Sequence, residues 1–134
     1  NNFNLQDCST QRNLDFNGIS QAKKIGKFFE ENNIQIDQVL SSEWCRTKDT
    51  ASNAFGNYKT FNALNSFFST KFFKNREKQM KDLRRFIYSW NNKKNIVFIT
   101  HYVVILEVLD IPVNSGEIVV ADKNYKVIGT IEIN

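Results

Sequence analysis

A chain of 134 residues, 41% hydrophobic and 13% aromatic, is long enough to bury one core and shows no shift in composition that would divide it into two domains. Its 18 Lys and Arg against 14 Asp and Glu give a net charge of +4, and the densest basic stretch, Lys71 to Arg85, also carries Glu77 and Asp82. That pattern describes a solvated helix face rather than a nucleic-acid groove, although attraction of small anionic substrates is compatible with it. No apolar run is long enough to span a bilayer and the start is not signal-like. Cys8 and Cys45 lie outside any C-x-x-C pattern and indicate neither a disulfide framework nor a zinc site; whether they meet in space is open, and so is the choice between cytoplasm and periplasm.

In chain order, residues Asn1 to Asn17 are polar and aperiodic and read as a loop. Ile19, Ala22, Ile25, Phe28 and Phe29 recur at helical spacing, with Asp15 or Asn17 as the cap and Asn32-Asn33 as the stop. Ile36 to Ser41 reads as a strand, and a helix follows from about Glu43 to Phe55, closed by Gly56. Lys59 to Phe61 is a weaker strand candidate. Asn62 to Lys74 is a connection whose Phe67, Phe68, Phe72 and Phe73 form an aromatic cluster expected to pack against the core. Met80, Leu83, Ile87 and Trp90 mark one face of a further helix. The apolar run Ile96 to Ile99 then predicts a strand buried on both faces, and Val103 to Leu109 a short apolar helix. Pro112 and Gly116 bracket a turn before two strands, Glu117 to Ala121 and Lys126 to Ile133, joined at Asp122 to Tyr125 as a hairpin at the sheet edge. This order predicts a three-layer α/β sandwich with a mostly parallel central sheet and a C-terminal β-hairpin, in one domain.

Two strand ends carry chemistry. His101, the only histidine, stands where the Asn95 to Thr100 strand stops, and ligands of open α/β sheets bind at the carboxyl ends of strands. Ser41-Ser42-Glu43-Trp44-Cys45-Arg46-Thr47 places an arginine in the first turn of a helix at another such end, where free N–H groups and a guanidinium suit an anion. Together, Arg46 and His101 suggest phosphate chemistry.

Three segments resemble the histidine phosphatase superfamily, the phosphoglycerate mutase-like proteins. Gln11 to Ala22 is similar to the family's R-x-L-x-x-x-G-x-x-Q-A pattern, Val39 to Ala51 to its V-x-S-S-x-x-x-R-T-x-x-T-A segment, and Ile96 to His101 to the strand before its second active-site histidine. With Ser115-Gly116-Glu117 they resemble a bacterial subgroup of small phosphatases that includes a lipopolysaccharide heptose-phosphate phosphatase. The resemblance implies hydrolysis of a phosphorylated small molecule, such as a sugar phosphate, through a phosphohistidine and without a metal or other cofactor. His101 and Arg46 would be catalytic, and Arg12, Ser42, Arg46 and His101 would bind substrate.

The sequence departs from the family in lacking the Arg-His-Gly motif that supplies the attacking histidine, and His101 cannot fill both positions. The expectation is a chain lacking its N-terminal strand, in keeping with a start at Asn1 rather than Met; the alternative is a phosphate-binding module without turnover. Loss of that strand should leave its neighbour with an open edge. The proton donor is unassigned: Glu117 and Asp7 are the candidates, each also readable as an ordinary surface or capping carboxylate, and Glu77 reads as a solvated helix residue.

Overall fold

A computed structural model describes residues 2–133; Asn1, where the expected leading loop begins, lies outside them. A single turn of 3-10 helix, Cys8–Thr10, precedes α1, Phe16–Glu31. Asp15 is the cap, its carboxylate accepting from Gly18 N at 2.8 Å, and Asn33 ends the helix in the left-handed region with φ 53°. Strand β1, Ile36–Ser41, leads to α2, Cys45–Phe55, which stops at Gly56 with φ 80°. Then come β2, Lys59–Thr60, a 3-10 turn at Asn62–Leu64, the single turn α3 at Thr70–Phe73, and α4, Arg76–Ser89. The chain closes with β3, Asn95–Ile99, α5, Tyr102–Leu109, β4, Ile118–Ala121, and β5, Val127–Ile131.

The sheet is parallel, in the order β2-β1-β3, and is flanked by helices. Leu40 of β1 joins Ala63, Leu64, Phe67, Met80, Leu83 and Val104 in the core, with Ile96 and Phe98 of β3 packed against it. Helices α1 and α2 pack on each other, with Phe29 edge-on to Phe55 and Gly26 pressed against the Ala54 carbonyl. A bidentate Arg76–Glu107 pair ties α4 to α5.

Several expectations need correction. The hairpin forms, but β4 and β5 make their own two-stranded antiparallel sheet and, among the described residues, do not bond to the main sheet. It docks on α1 instead, where Gln21 Nε2 donates to Ile133 O and lies so close to Gly116 that a Cβ there would collide with it. Strand β3 is only half-buried from Ile96 to Ile99, because it is an edge strand whose one described neighbour is β1. The aromatic cluster is split: Phe67 is core and Phe72 turns inward, whereas Phe68, before α3, and Phe73, its last residue, are 82% and 54% exposed. Trp90 lies just past α4 and caps the next turn, its indole donating to Lys94 O.

A methyl group at Gly26 would stand 1.9 Å from the Ala54 oxygen, whereas one at Gly129 meets nothing within 4 Å. Gly26→Ala is therefore expected to lower stability by about 2 to 3 kcal/mol, since neither helix backbone can give way. Gly129→Ala should stay within about 0.5 kcal/mol of the parent. Urea unfolding of the two variants checks the close contact between α1 and α2.

Candidate functional site

Parallel register sets the site. Ser41 of β1 is level with Ile99 of β3, and Ser42 N donates to Ile99 O at 3.0 Å, so the residues just past both strand ends are side by side. Ser42 is fully buried and its Oγ lies 2.8 Å from His101 Nε2. Thr100 Oγ1, donating to Leu64 O at 2.6 Å, anchors the end of β3 to the core turn. From the first turn of α2, Arg46 Nη2 lies 3.3 Å from His101 Nδ1.

The bonds fix the protons. A guanidinium only donates, so Nδ1 accepts and the imidazole carries its hydrogen on Nε2, which donates to Ser42 Oγ. Thr47 Oγ1 donates to Trp44 O at 2.9 Å, which leaves Ser42 to donate to Thr47 across 2.6 Å. Burial, and then the neighbouring Arg46 charge, push the His101 pKa down to about 3. The ring is neutral at ordinary pH. Half-buried Arg46 is itself lowered, first by desolvation and then by the charge of Arg12. The charged groups that perturb this cluster are thus both arginines.

Of the residues expected to act, Ser42, Arg46 and His101 come together, Arg12 is exposed with its charge felt at Arg46, and Glu117 does not join them. The Glu117 carboxylate turns back to accept from Asn114 N at 2.9 Å, at the foot of the hairpin. Asp7 is likewise occupied, capping the first 3-10 turn through Ser9 N and Ser9 Oγ. Glu77 is exposed in the first turn of α4. Among the described residues, no group of three His, Cys, Asp or Glu side chains gathers as a metal site. No described helix is long and apolar enough to cross a membrane.

Other parts of the site escaped the sequence reading. Trp44 stands edge-on to the His101 ring, centroids 4.9 Å apart, and is itself covered by Phe3 and Phe72. Glu43 and Asn65 exchange two 2.8 Å bonds beside Ser42. Gln11 Oε1 accepts from Cys45 N at 2.8 Å, capping α2 from a remote segment. Cys8 and Cys45, whose spacing leaves their pairing open, form a disulfide. The adjacency of Trp44, Cys45 and Arg46 was the one local signal for any of this.

The chain matches no protein-family model and no curated protein. Solved structures do match. A phosphoglycerate mutase of Thermus thermophilus is 15% identical, with a TM-score of 0.60 over 91% of this chain and 85% of that one. A protein assigned as the phosphohistidine phosphatase SixA of Agrobacterium tumefaciens is 15% identical, with a TM-score of 0.63 over 92% and 85%. A Plasmodium falciparum phosphoglycerate mutase is 18% identical, with a TM-score of 0.51 over 88% and 83%. At such identities the likeness is one of fold, and the fold is phosphoglycerate mutase-like.

The depressed His101 pKa has a sign that can be tested. The unfolded imidazole binds its proton near pH 6.5 and the folded one only near 3, so stability is complete above 6.5 and falls as pH is lowered between the two values. The expected loss is about 1.4 kcal/mol per pH unit below roughly pH 6. His101 is the only histidine, so urea unfolding at pH 6.5 to 4.5 isolates it. His101→Asn should flatten that slope, and a slope unchanged in the variant would refute the buried neutral ring.

Proposed function

We propose that the complete protein is a histidine phosphatase-type hydrolase that cleaves phosphate monoesters through a phosphohistidine intermediate. The observation that carries this reading is the contact of Arg46 with the neutral His101 ring at the carboxyl ends of two adjacent parallel strands, with a second arginine nearby and no described carboxylate perturbing either. Such a cluster is short of negative charge, and a phosphate dianion supplies it. A phosphoryl group set between Arg46 and His101 reverses the sign of the field at the ring, so the imidazole can hold a second proton and donate from both nitrogens. Arg46 and Arg12 would grip the equatorial oxygens, and buried Ser42 would fix the orientation of His101.

The attacking imidazole has to come from outside these 134 residues, since His101 is the only histidine and serves as a clamp. Support comes from the sheet. Among the described residues β3 bonds to one neighbour only, and a further parallel strand on its free edge, ending level with Ile99, would deliver its next residue beside His101. In the proposed reaction that imidazole attacks phosphorus, the ester P–O bond breaks, and the leaving oxygen takes a proton; water then cleaves the P–N bond. Glu117 and Asp7, held in their own turns, are not assigned as the donor. A heptose phosphate or another sugar phosphate fits the subgroup resemblance, and the reaction as written uses no metal.

A second reading, a phosphate-binding module without turnover, is favoured by the same single histidine. One assay separates them. The protein, with its natural upstream residues, is incubated with an aryl phosphate in the presence of a chelator and compared with His101→Ala and Arg46→Ala. Turnover reduced about 100-fold or more in both variants is expected for the enzyme. Phosphate binding without turnover supports the module instead. Activity abolished by the chelator overturns the metal-free step, and activity unchanged in both variants overturns the site.

A further inference from the structure

We infer that the Cys8–Cys45 disulfide is the positioning element of the anion site: it holds Arg12 beside Arg46, so that the two-arginine grip belongs to the oxidised protein. This rests on the phosphate reading above. The bridge joins an exposed residue of the leading loop to the first residue of α2, which is 1% exposed, across 37 positions of sequence with a Cα–Cα distance of 5.8 Å. Arg46 follows Cys45 directly, and Arg12 follows Cys8 by four residues.

What the bridge opposes is charge. Gln11, next to Arg12, accepts from Cys45 N, next to Arg46, at 2.8 Å; the charge of Arg12 is felt at Arg46, and none of the described ion pairs includes either arginine. Like charges so placed separate unless the chain holds them. The leading loop is built as a unit: Asn4 N bonds to Thr10 Oγ1, Gln11 Nε2 to Asn4 O, Asn13 Nδ2 to Cys8 O, and Asp7 to Ser9. Its non-covalent ties to the body near the site are few, the Gln11 to Cys45 N bond and the packing of Phe3 on Trp44 and Phe72. None of its residues belongs to the hydrophobic core. Release of the loop therefore displaces Arg12 and uncovers Trp44 while leaving the sheet intact.

The redox step is an ordinary exchange. A dithiol attacks Cys8, the accessible member of the bridge; the S–S bond takes up two electrons and two protons to give two protein thiols, and the dithiol closes to its own disulfide. Loss of one charged hydrogen-bonding partner weakens anion binding by about 10- to 100-fold.

The test is calorimetric titration of the complete protein with inorganic phosphate, oxidised and after treatment with a dithiol, alongside Cys8→Ser. Far-UV circular dichroism and a thermal melt report on the fold. Expected are a cooperative melt in every form, phosphate affinity about 10- to 100-fold weaker in the reduced protein and in Cys8→Ser, and no redox dependence in Arg12→Ala. The last result distinguishes positioning of Arg12 from a general loosening, which would weaken Arg12→Ala further on reduction. Equal affinity in both redox states, a persisting redox effect in Arg12→Ala, or global unfolding on reduction each overturns the inference. Failure of the oxidised protein to bind phosphate at all instead overturns the phosphate reading on which it rests.

Discussion

A half-buried guanidinium without a described carboxylate partner is the constraint on which the rest of the site depends. Arg46 points at the one ring that cannot answer it with charge, and the ring responds by staying neutral and offering a lone pair. A desolvated cation normally finds a counter-ion in the fold, because leaving it uncompensated costs stability. The four described ion pairs are elsewhere, on α1, on α4 and between α4 and α5. In the proposed function, a bound anion would supply that compensation. The same arrangement explains the depressed pKa values of Arg46 and His101 without invoking any further group.

Geometry at this constraint is inherited from the sheet rather than from the loops. Because Ser41 and Ile99 are in register, the chain on each strand leaves the sheet at the same level, and Ser42 and His101 meet without adjustment. Buried Ser42 is fixed in turn by Thr47 in the first turn of α2 and by the amide of Trp44, the residue that caps it. Trp44 closes one side of the imidazole with an edge-on ring. Desolvation, the first cause of the His101 shift, is a consequence of this packing. Site and fold are therefore hard to separate by mutation at Ser42 or Thr47, whereas Arg46 and Arg12, nearer to solvent, can be changed with less disturbance of the core.

Much of this was legible in the sequence where local physics decides. Strand β1 falls on Ile36–Ser41 as expected, α2 ends at the expected glycine, and His101 and Arg46 meet because both follow strands of one parallel sheet. What escaped was non-local. Cys8 and Cys45 are separated by a whole helix and strand, so no spacing rule could pair them. Strand β3 is less buried than its unbroken apolar run implies, because such a run reports on the side chains and not on how many neighbours the strand has. Glu117 looked like a rim carboxylate from its place after Gly116, but the turn it occupies offers it a nearer donor in the Asn114 amide. Composition groups Phe68 and Phe73 with Phe67 and Phe72, but Phe68, just before α3, and Phe73, at its end, face outward.

Likeness of fold and likeness of chemistry are different claims, and here they rest on different observations. At 15% to 18% identity, TM-scores of 0.51 to 0.63 establish the arrangement of sheet and helices. A fold of this kind hosts both mutases and phosphatases, so it cannot by itself choose a reaction. The proposal of phosphate as ligand rests instead on Arg46 and a neutral imidazole meeting where a parallel sheet opens its carboxyl ends, with the charge of Arg12 felt at Arg46. In the proposed enzyme, turnover demands one more group than these, a nucleophile opposite the clamp, which that reading assigns to a further strand on the edge of β3 that no described strand pairs with. A binding module needs no such strand. The distinction between enzyme and module is therefore a distinction about what lies against β3, and not about the residues already gathered around His101.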